Sequence, residues 1–294
     1  MAAAYTEHRG ALLAVAYRML GSFRDAEDVV QEAFLRLRRA LLAGERPDSQ
    51  RGYLVTITTR LAIDQLRSAQ HRRETYVGPW LPEPSVLDDP ADAAALADSL
   101  STAFLVLLER LSPEQRAALL LHDVFDLPYA EVASILGKSE EACRQLATRA
   151  RRRVRTDQPT PTATSTTEAQ QLANRFFAAA HDGNLDGLVA LLAPEAEFVG
   201  DGGSSGRGVT RAIHGADAVA KTVRGIFRRI RSLSGTTQPV WVGTQPAVLI
   251  LAPDGALAGV WSLVVAGDRV HAVHGMVNPA KLEHLGIPLT DLAR

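Results

Sequence analysis

The chain has 294 residues, of which 46% are apolar and 22% charged, and its formal net charge is −1. This composition excludes wholesale disorder, and the length allows two or three domains. No apolar run approaches the roughly 20 residues that span a bilayer, and we recognise no signal peptide, so we expect a cytoplasmic protein without a membrane partner. The single cysteine, Cys143, excludes an intrachain disulfide and a cysteine-cluster metal site.

Charge is unevenly distributed along the chain. The net charge is +3 over residues 5–75, −5 over residues 76–110 and +2 over residues 111–155. Between Ala142 and Arg155 all six charged side chains are arginines. Two basic modules suggest a polyanionic partner, most commonly nucleic acid. The acidic spacer between them leads us to expect that this spacer crosses a basic surface, in a complex or in a closed free form.

Two breaks in composition divide the chain into modules. The spacer YVGPWLPEPSVLDDP has four prolines, which favour an extended path, and TDQPTPTATSTT is a linker by composition. We therefore expect a first module at 5–75, an acidic proline-rich linker at 76–94, a second module at 95–155, a Thr/Pro-rich linker at 156–167 and a third module at 168–294.

Helical periodicity dominates the first two modules. In the first, apolar residues recur on one face from Ala26 to Leu37, and Ser22 is a candidate cap. In the second, a short helix ends at Gly137 and a longer basic helix follows, which is the helix-turn-helix pattern.

Secondary-structure character changes in the third module. Helical segments alternate with the strand-like runs AEFVG, PVWVG, AVLIL, GVWSLVV and RVHAVHGMV, which predicts an α+β module with a mainly antiparallel sheet.

The basic helix from Ser139 to Arg155 has two distinct faces. Cys143, Ala147 and Ala150 fall at core-facing positions. Arginine can bond guanine and glutamine can bond adenine in a major groove, whereas phosphate contacts only position the protein. The outward face carries Glu141, Arg144, Gln145, Thr148 and Arg152, and Arg149, Arg151, Arg153 and Arg155 suit phosphate contact. The alternative is an ordinary helical hairpin with a basic surface.

Two motif sets carry a family resemblance. DAEDVVQEAFLRL and YLVTITTRLAIDQLR resemble region 2 of extracytoplasmic-function (ECF) sigma factors, and PYAEVASILGKSEEACRQLATRARRR resembles their region 4. YVGPWLPEP, the DGG at 201–203 and NPAKL at 278–282 resemble a subgroup, often called SigJ-like, with a SnoaL-like C-terminal extension. The chain departs from common patterns at Tyr53, where many members have Trp, and at Arg60, where Asn is frequent.

The resemblance implies both fold and function. The implied fold is multidomain: two all-α sigma domains, a region 2 helical bundle and a region 4 helix-turn-helix, followed by an α+β cone-shaped SnoaL-like domain. The implied function is a sigma factor that binds core RNA polymerase through the β′ clamp helices and the β flap. It directs promoter recognition and transcription initiation and is regulated in cis by the SnoaL-like domain. We expect no catalytic residues, cofactor or metal.

Residue roles follow from the same resemblance. Core polymerase binding is expected at Asp25, Glu27, Asp28, Gln31 and Phe34. The −10 element is expected to contact Arg51, Tyr53, Arg60, Arg67, Arg72 and Arg73, while Asp64 pairs with Arg67 or Arg60. The −35 element is expected to contact Glu141, Arg144, Gln145, Thr148, Arg149 and Arg152.

The cone-shaped fold encloses a pocket in its family, so the third module is a candidate site for a small-molecule ligand or for regulatory contacts with the sigma modules. His271 and His274 are three residues apart on a predicted strand, so at most one of them faces such a pocket. The candidate regulatory and pocket residues are Asp201, Gly202, Gly203, His214, Trp241, Trp261, His271, Asn278, Pro279, Lys281 and Leu282.

Two other functions remain open from the sequence. One is a one-component helix-turn-helix regulator with a ligand-sensing SnoaL-like domain, which leaves residues 5–75 without a role. The other is a SnoaL-type enzyme tethered to DNA-binding helices.

Overall fold

The computed structural model describes residues 2–73, 78–87, 102–156, 164–203 and 209–290. These residues fall into two compact units. The first unit draws on the ranges 1–75 and 105–157, and the second on 76–104 and 158–294. The two helical modules therefore pack together as one unit, and the described part of the proline-rich spacer belongs with the third module. In the described part of the chain, no helix is long and apolar enough to cross a membrane.

Three long helices begin the first unit: α1 (Ala2–Leu20), α2 (Phe23–Leu42) and α3 (Gln50–Arg73). Ser22 caps α2, because its side-chain oxygen accepts a hydrogen bond from the Asp25 amide at 3.2 Å. Ser49 accepts from the Gly52 amide at 3.1 Å at the start of α3. The apolar face of α2 predicted from the sequence is buried from Ala26 to Leu37.

Four shorter helices follow, and from residue 105 onward they belong to the first unit: α4 (Thr102–Leu108), α5 (Pro113–Leu119), α6 (Tyr129–Leu136) and α7 (Glu140–Thr156), with a π-helical turn at Leu120–Val124 after α5. Gly137 ends α6 in a left-handed conformation with φ of +62°. Cys143 and Ala147 of α7 are buried in a cluster with Val132 of α6, as the sequence predicts. The sequence did not predict α4 or the π-helical turn.

The second unit packs three helices and a seven-stranded sheet, which confirms the predicted fold class. The helices are α8 (Thr166–Asp182), α9 (Leu185–Leu191) and α10 (Ala216–Ser232). The strands are β1 (Val86–Leu87), β2 (Leu192–Asp201), β3 (Ile213–His214), β4 (Thr236–Val242), β5 (Gln245–Leu251), β6 (Leu257–Ala266) and β7 (Arg269–Met276). Their order is β1-β4-β5-β6-β7-β2-β3, and every pair is antiparallel except β2 with β7.

Aromatic rings fill the space between the helices and the sheet. Trp261 on β6 lies 5.5 Å from Phe227 of α10 and 5.1 Å from Phe198 of β2, measured between ring centroids. Both phenylalanines and Trp261 are at most 2% exposed. These rings belong to a cluster of buried apolar residues that joins helices α8, α9 and α10 to the sheet.

The end of the proline-rich spacer forms an edge strand. Val86 and Leu87 pair antiparallel with Val242 and Trp241 of β4. The sequence predicted an extended path here but not a strand. The difference arises after Pro84, the last proline before the strand, because the residues that follow it directly have the amide hydrogens that ladder bonding requires.

Candidate functional site

A buried ion pair lies at the end of β2. The Asp201 side chain is fully buried and that of Lys281 is 10% exposed. Lys281 donates from Nζ to Asp201 Oδ2 at 2.7 Å, and the Gly203 amide donates to Asp201 Oδ1 at 3.0 Å. Two charges removed from water in this way are stable only if further hydrogen bonds satisfy both groups.

Those further bonds come from the spacer. The Leu81 amide donates to Asp201 Oδ2 at 2.8 Å, and Lys281 Nζ donates to the Leu81 carbonyl at 2.5 Å. The Lys281 ammonium also lies 3.8 Å from the centroid of the Trp80 ring, which is a cation–π contact. Both backbone groups of Leu81 are thus bound by charged side chains of the third module.

Further hydrogen bonds hold the residues of the spacer that follow Leu81. His284 Nε2 donates to the Pro84 carbonyl at 2.9 Å, and the Gly243 amide donates to the Ser85 carbonyl at 3.1 Å. Leu81 is only 1% exposed. Residues 80–87 are called the held linker below, since they lie in the segment that joins the first and second modules and are bonded to the third module.

Two of the motifs recognised in the sequence meet at this site. Gly203 has φ of +75°, and a Cβ added there would lie 2.8 Å from the Asn278 side chain. Asn278 Oδ1 in turn accepts from the Ala280 amide at 3.2 Å and begins the short 3-10 helix Pro279–Lys281. The DGG segment can therefore pack against the turn that carries Lys281 only because glycine occupies position 203. Gly202 is buried between Asp201 and Gly203, and Leu282 is 1% exposed directly after Lys281.

Of the other candidate residues of the third module, Trp241 lies beside the held linker, whereas His214, His271 and Trp261 lie on other strands. His214 is exposed on the edge strand β3, 3.8 Å from Glu197, and His271 lies 3.3 Å from Glu195. Trp261 belongs to the aromatic interior, whereas Trp241 pairs with Leu87 of the held linker. These side chains do not form one pocket with Asp201.

The individual residues that bind the spacer to the third module were not all identified from the sequence. Trp80 and Leu81 were noted only as part of a motif, and His284 was not considered. One signal was available: proline at positions 82 and 84 prevents the spacer from satisfying its own backbone groups in a helix, so these groups require outside partners. The acidic residues between 88 and 98, on which the expected contact with a basic surface rests, lie outside the described residues.

The predicted −35 residues lie on the exposed side of α7. Arg144 donates to Glu140 at 2.7 Å, and Gln145 donates to Glu141 at 3.1 Å, so neighbouring carboxylates orient two of the side chains. Arg151, for which phosphate contact was expected, instead makes a two-pronged bond to Asp123, with Nη2 at 2.5 Å and Nε at 2.6 Å. This bond raises the pKa of Arg151 and fixes the side chain within the unit.

Two predicted −10 residues contact helices of the second module. Arg60 on α3 donates to the carbonyls of Ile135 at 2.9 Å and Ser134 at 3.1 Å, both on α6. Arg67 pairs with Glu114 of α5 and lies 3.6 Å from Asp64. Burial raises the pKa of Glu114, but the hydrogen bond from Arg67, a backbone hydrogen bond and the nearby positive charges of Arg67 and Lys138 together lower that pKa below its usual value. Arg51 is exposed and Tyr53 half-buried; the side chains of Arg72 and Arg73 lie outside the described residues.

A buried arginine reinforces the contact between the two regions. Arg116 of α5 is 2% exposed and donates to the carbonyls of Met19 at 2.5 Å and Leu108 at 2.6 Å, and to Glu109 at 2.8 Å. Burial lowers the pKa of the Arg116 guanidinium to about 9. Arg18 of α1 lies over the Phe125 ring at 5.1 Å. We name Arg18, Arg60, Arg67 and Arg116 the arginine interface.

The residues expected to bind polymerase divide by exposure. Glu27, Asp28 and Gln31 are exposed on α2, Asp25 is half-buried, and Glu27 pairs with Arg9 at 3.0 Å. Phe34 is 6% exposed and packs on Tyr5 with ring centroids 4.9 Å apart, so it contributes to the core in this structure. Among the described residues, no group of three or more His, Cys, Asp or Glu side chains is placed to hold a metal.

Lys281→Met removes one half of the buried ion pair and leaves the Asp201 charge without its partner. We expect the free energy of unfolding to fall by about 3–5 kcal/mol, measured by urea titration of the full chain. The matched control is Lys221→Met, which removes an exposed cation of the same unit and should change stability by no more than about 0.5 kcal/mol. Equal effects of the two substitutions would contradict the role given to Lys281.

His274 gives the chain a pH-dependent stability. Burial lowers the pKa of its imidazole from 6.5 to about 4, so the folded state binds fewer protons than the unfolded state between these values. We expect stability to decrease by up to about 3 kcal/mol as pH falls through this window, and His274→Gln to flatten the dependence. His181→Gln, which alters an exposed histidine, should leave the slope unchanged; an unchanged slope in His274→Gln would refute the assignment.

Comparison with known proteins agrees with this architecture. Family models match residues 4–72 (Sigma-70 region 2), residues 101–154 (Sigma-70, region 4) and residues 173–277 (SnoaL-like domain). The chain is 40% identical over 296 residues to the ECF RNA polymerase sigma factor SigJ of Mycobacterium tuberculosis, covering 95% of this chain and 92% of the relative. It is 36% identical over 291 residues to the probable ECF RNA polymerase sigma factor SigI of the same species, covering 97% and 96%.

A solved structure matches over nearly the whole length. The crystal structure of the M. tuberculosis ECF sigma factor SigJ aligns with a TM-score of 0.76 and 36% identity, covering 99% of this chain and 100% of that one. The chain therefore belongs to the ECF sigma factors, which direct RNA polymerase in promoter recognition and transcription initiation, and it carries a SnoaL-like regulatory module in cis.

Proposed function

We propose that the free chain is a closed, restrained form of the sigma factor, in which the SnoaL-like module limits the separation of regions 2 and 4. The observation that carries this proposal is the capture of Leu81 by Asp201 and Lys281, because Leu81 lies in the segment that joins the two promoter-reading regions. Opening of this form accompanies polymerase and promoter binding.

Geometry supports the need for opening. Elements centred near −10 and −35 are separated by about 25 base pairs, which is about 85 Å of duplex at about 3.4 Å per base pair. In the first unit, however, Arg60 of region 2 is hydrogen-bonded to the helix-turn-helix of region 4. A chain that reads both elements at once cannot keep this contact, so the arginine interface belongs to the free form.

Linker length determines how far the regions can separate. The 28 residues between Arg73 and Thr102 span at most about 100 Å when fully extended. Fixing residues 80–87 to a folded module shortens this reach, so the held linker opposes the promoter-bound arrangement. Release of the linker and separation of the regions are therefore coupled steps in this mechanism.

In the open form we assign the residues the roles expected from the sequence. The exposed face of α7 reads the −35 element. Arg60 and Arg67 leave their partners in region 4 and contact the −10 strand. The acidic face of α2 meets the β′ clamp helices, and region 4 meets the β flap. Transcription initiation occurs on the chromosome, so this function implies a cytoplasmic protein.

A small-molecule ligand of the third module stays a prediction. Phe176, Phe227 and Trp261 fill the described interior between the helices and the sheet. A ligand at that position requires these rings to move, which would couple its binding to the packing of the whole module.

Trp80→Ala combined with His284→Ala should release the linker while the Asp201–Lys281 ion pair stays intact, although His284 also lies 4.0 Å from the buried Glu83. We expect faster protease cleavage within residues 78–87 and about two- to five-fold more run-off transcript with core polymerase at limiting protein, as a weak restraint of about 1 kcal/mol predicts. His181→Ala, an exposed change in the same unit, should alter neither. Faster cleavage with unchanged transcript would overturn the proposed restraint. Faster cleavage with reduced transcript would also overturn it and would mean that the module is required for activity.

Glu114→Lys tests the interface within the first unit. A lysine beside Arg67 replaces attraction with repulsion, and Glu114 is not itself assigned to DNA, so promoter-directed transcript should rise about two- to five-fold. Glu131→Lys makes the same charge change at an exposed position of α6 and should have no effect. If both substitutions act alike, net charge and not the interface is responsible.

A further inference from the structure

One strongly charged surface is not used by the proposed function. Helix α10 buries Val219, Val223 and Phe227 on one side. Its opposite side carries five exposed cations, Lys221, Arg224, Arg228, Arg229 and Arg231, and one exposed carboxylate, Asp217. Because buried and exposed positions each recur every three to four residues along the helix, the cations form a stripe along its outer face.

The central cations of this stripe are available for a partner. Within the described ranges, no hydrogen bond or ion pair reaches the side chains of Lys221, Arg224 or Arg228, whereas Arg231 is bonded to the His181 carbonyl. Like charges at these spacings repel one another and destabilise an isolated helix. The buried apolar face therefore holds the cations together against their repulsion, and an anionic partner would relieve it.

We propose that the outer face of α10 is a DNA-binding surface that contacts the phosphate backbone without reading sequence. This goes beyond the roles given to regions 2 and 4, since it assigns the SnoaL-like module a direct contact with DNA. The stripe from Lys221 to Arg231 covers eleven residues, or about 15 Å of helix axis, which is enough to meet several consecutive phosphates.

Composition favours a phosphate backbone over a protein partner. Protein interfaces have an apolar or aromatic centre surrounded by polar residues. The exposed side of α10 has no large apolar residue: its exposed positions other than the charged ones are Ala218 and Ser232. A surface of cations without an apolar centre suits a partner that is recognised by charge alone.

Chain connectivity brings such a partner within reach. Only nine residues separate the end of α7 at Thr156 from the start of α8 at Thr166, and nine residues span at most about 30 Å. A duplex bound by α7 is therefore presented to the SnoaL-like module at high effective concentration. A weak, sequence-independent contact becomes useful under these conditions.

The test measures binding of the full chain to a fluorescent random-sequence duplex over a range of salt concentrations. Arg224→Gln with Arg228→Gln should weaken binding about ten-fold at low salt and reduce the slope of log K against log salt by about 2, because each lost phosphate contact removes about 0.9 from that slope. Arg175→Gln with Arg211→Gln removes two exposed arginines elsewhere in the same unit and should leave the slope unchanged. Thermal unfolding verifies that both variants are folded.

Three results would overturn the proposal. The first is an unchanged salt slope in the α10 variant, or no duplex binding by the unmodified chain. The second is tighter DNA binding in that variant, which would mean that an acidic segment of the chain occupies the face. The third is a loss of affinity for core polymerase with DNA binding intact. The double substitution Arg144→Gln with Arg149→Gln on α7 should also weaken DNA binding, and this effect should not depend on α10. This variant tests the −35 assignment separately from the α10 proposal.

Discussion

Burial of the Asp201–Lys281 pair is the constraint on which the regulatory part of this protein depends. Two charges taken out of water need more than each other, and here the missing bonds are supplied by the backbone of Leu81 and the ring of Trp80. The linker is thus part of the module's own polar network. The SnoaL-like fold of this chain is complete only when a segment from outside the domain is bound to it.

The arginine interface applies the same chemistry in the first unit. Guanidinium groups bond well to carbonyl oxygens, carboxylates and phosphates, so one side chain can serve two partners in succession. Arg60 and Arg67 bind a carbonyl and a carboxylate of region 4 in this structure. Under the proposed function the same side chains contact promoter DNA after opening, so substitution of either arginine should change two equilibria, weakening DNA contact and loosening the closed unit.

The sequence was sufficient for most helices and strands, because these depend on local periodicity, but not for α4 or the edge strand β1. The cap at Ser22 and the stop at Gly137 are set by neighbouring residues and were predicted for that reason. The pairing of Asp201 with Lys281, and of both with Leu81, links segments 80 to 200 residues apart, and no local pattern encodes it. The buried Arg116 was missed for a related reason, since an arginine on a helix is ordinarily exposed.

The position of Lys281 in the chain has a consequence for biosynthesis. Its bond to the Leu81 carbonyl joins residues 200 positions apart. At about 5–20 residues per second, a ribosome needs about 10–40 s to reach Lys281 after adding Leu81. During most of that interval regions 2 and 4 have already been synthesised, whereas Lys281, which completes the bonds to their linker, has not. Each newly made molecule therefore passes through an unrestrained stage before its last segment closes the linker in place.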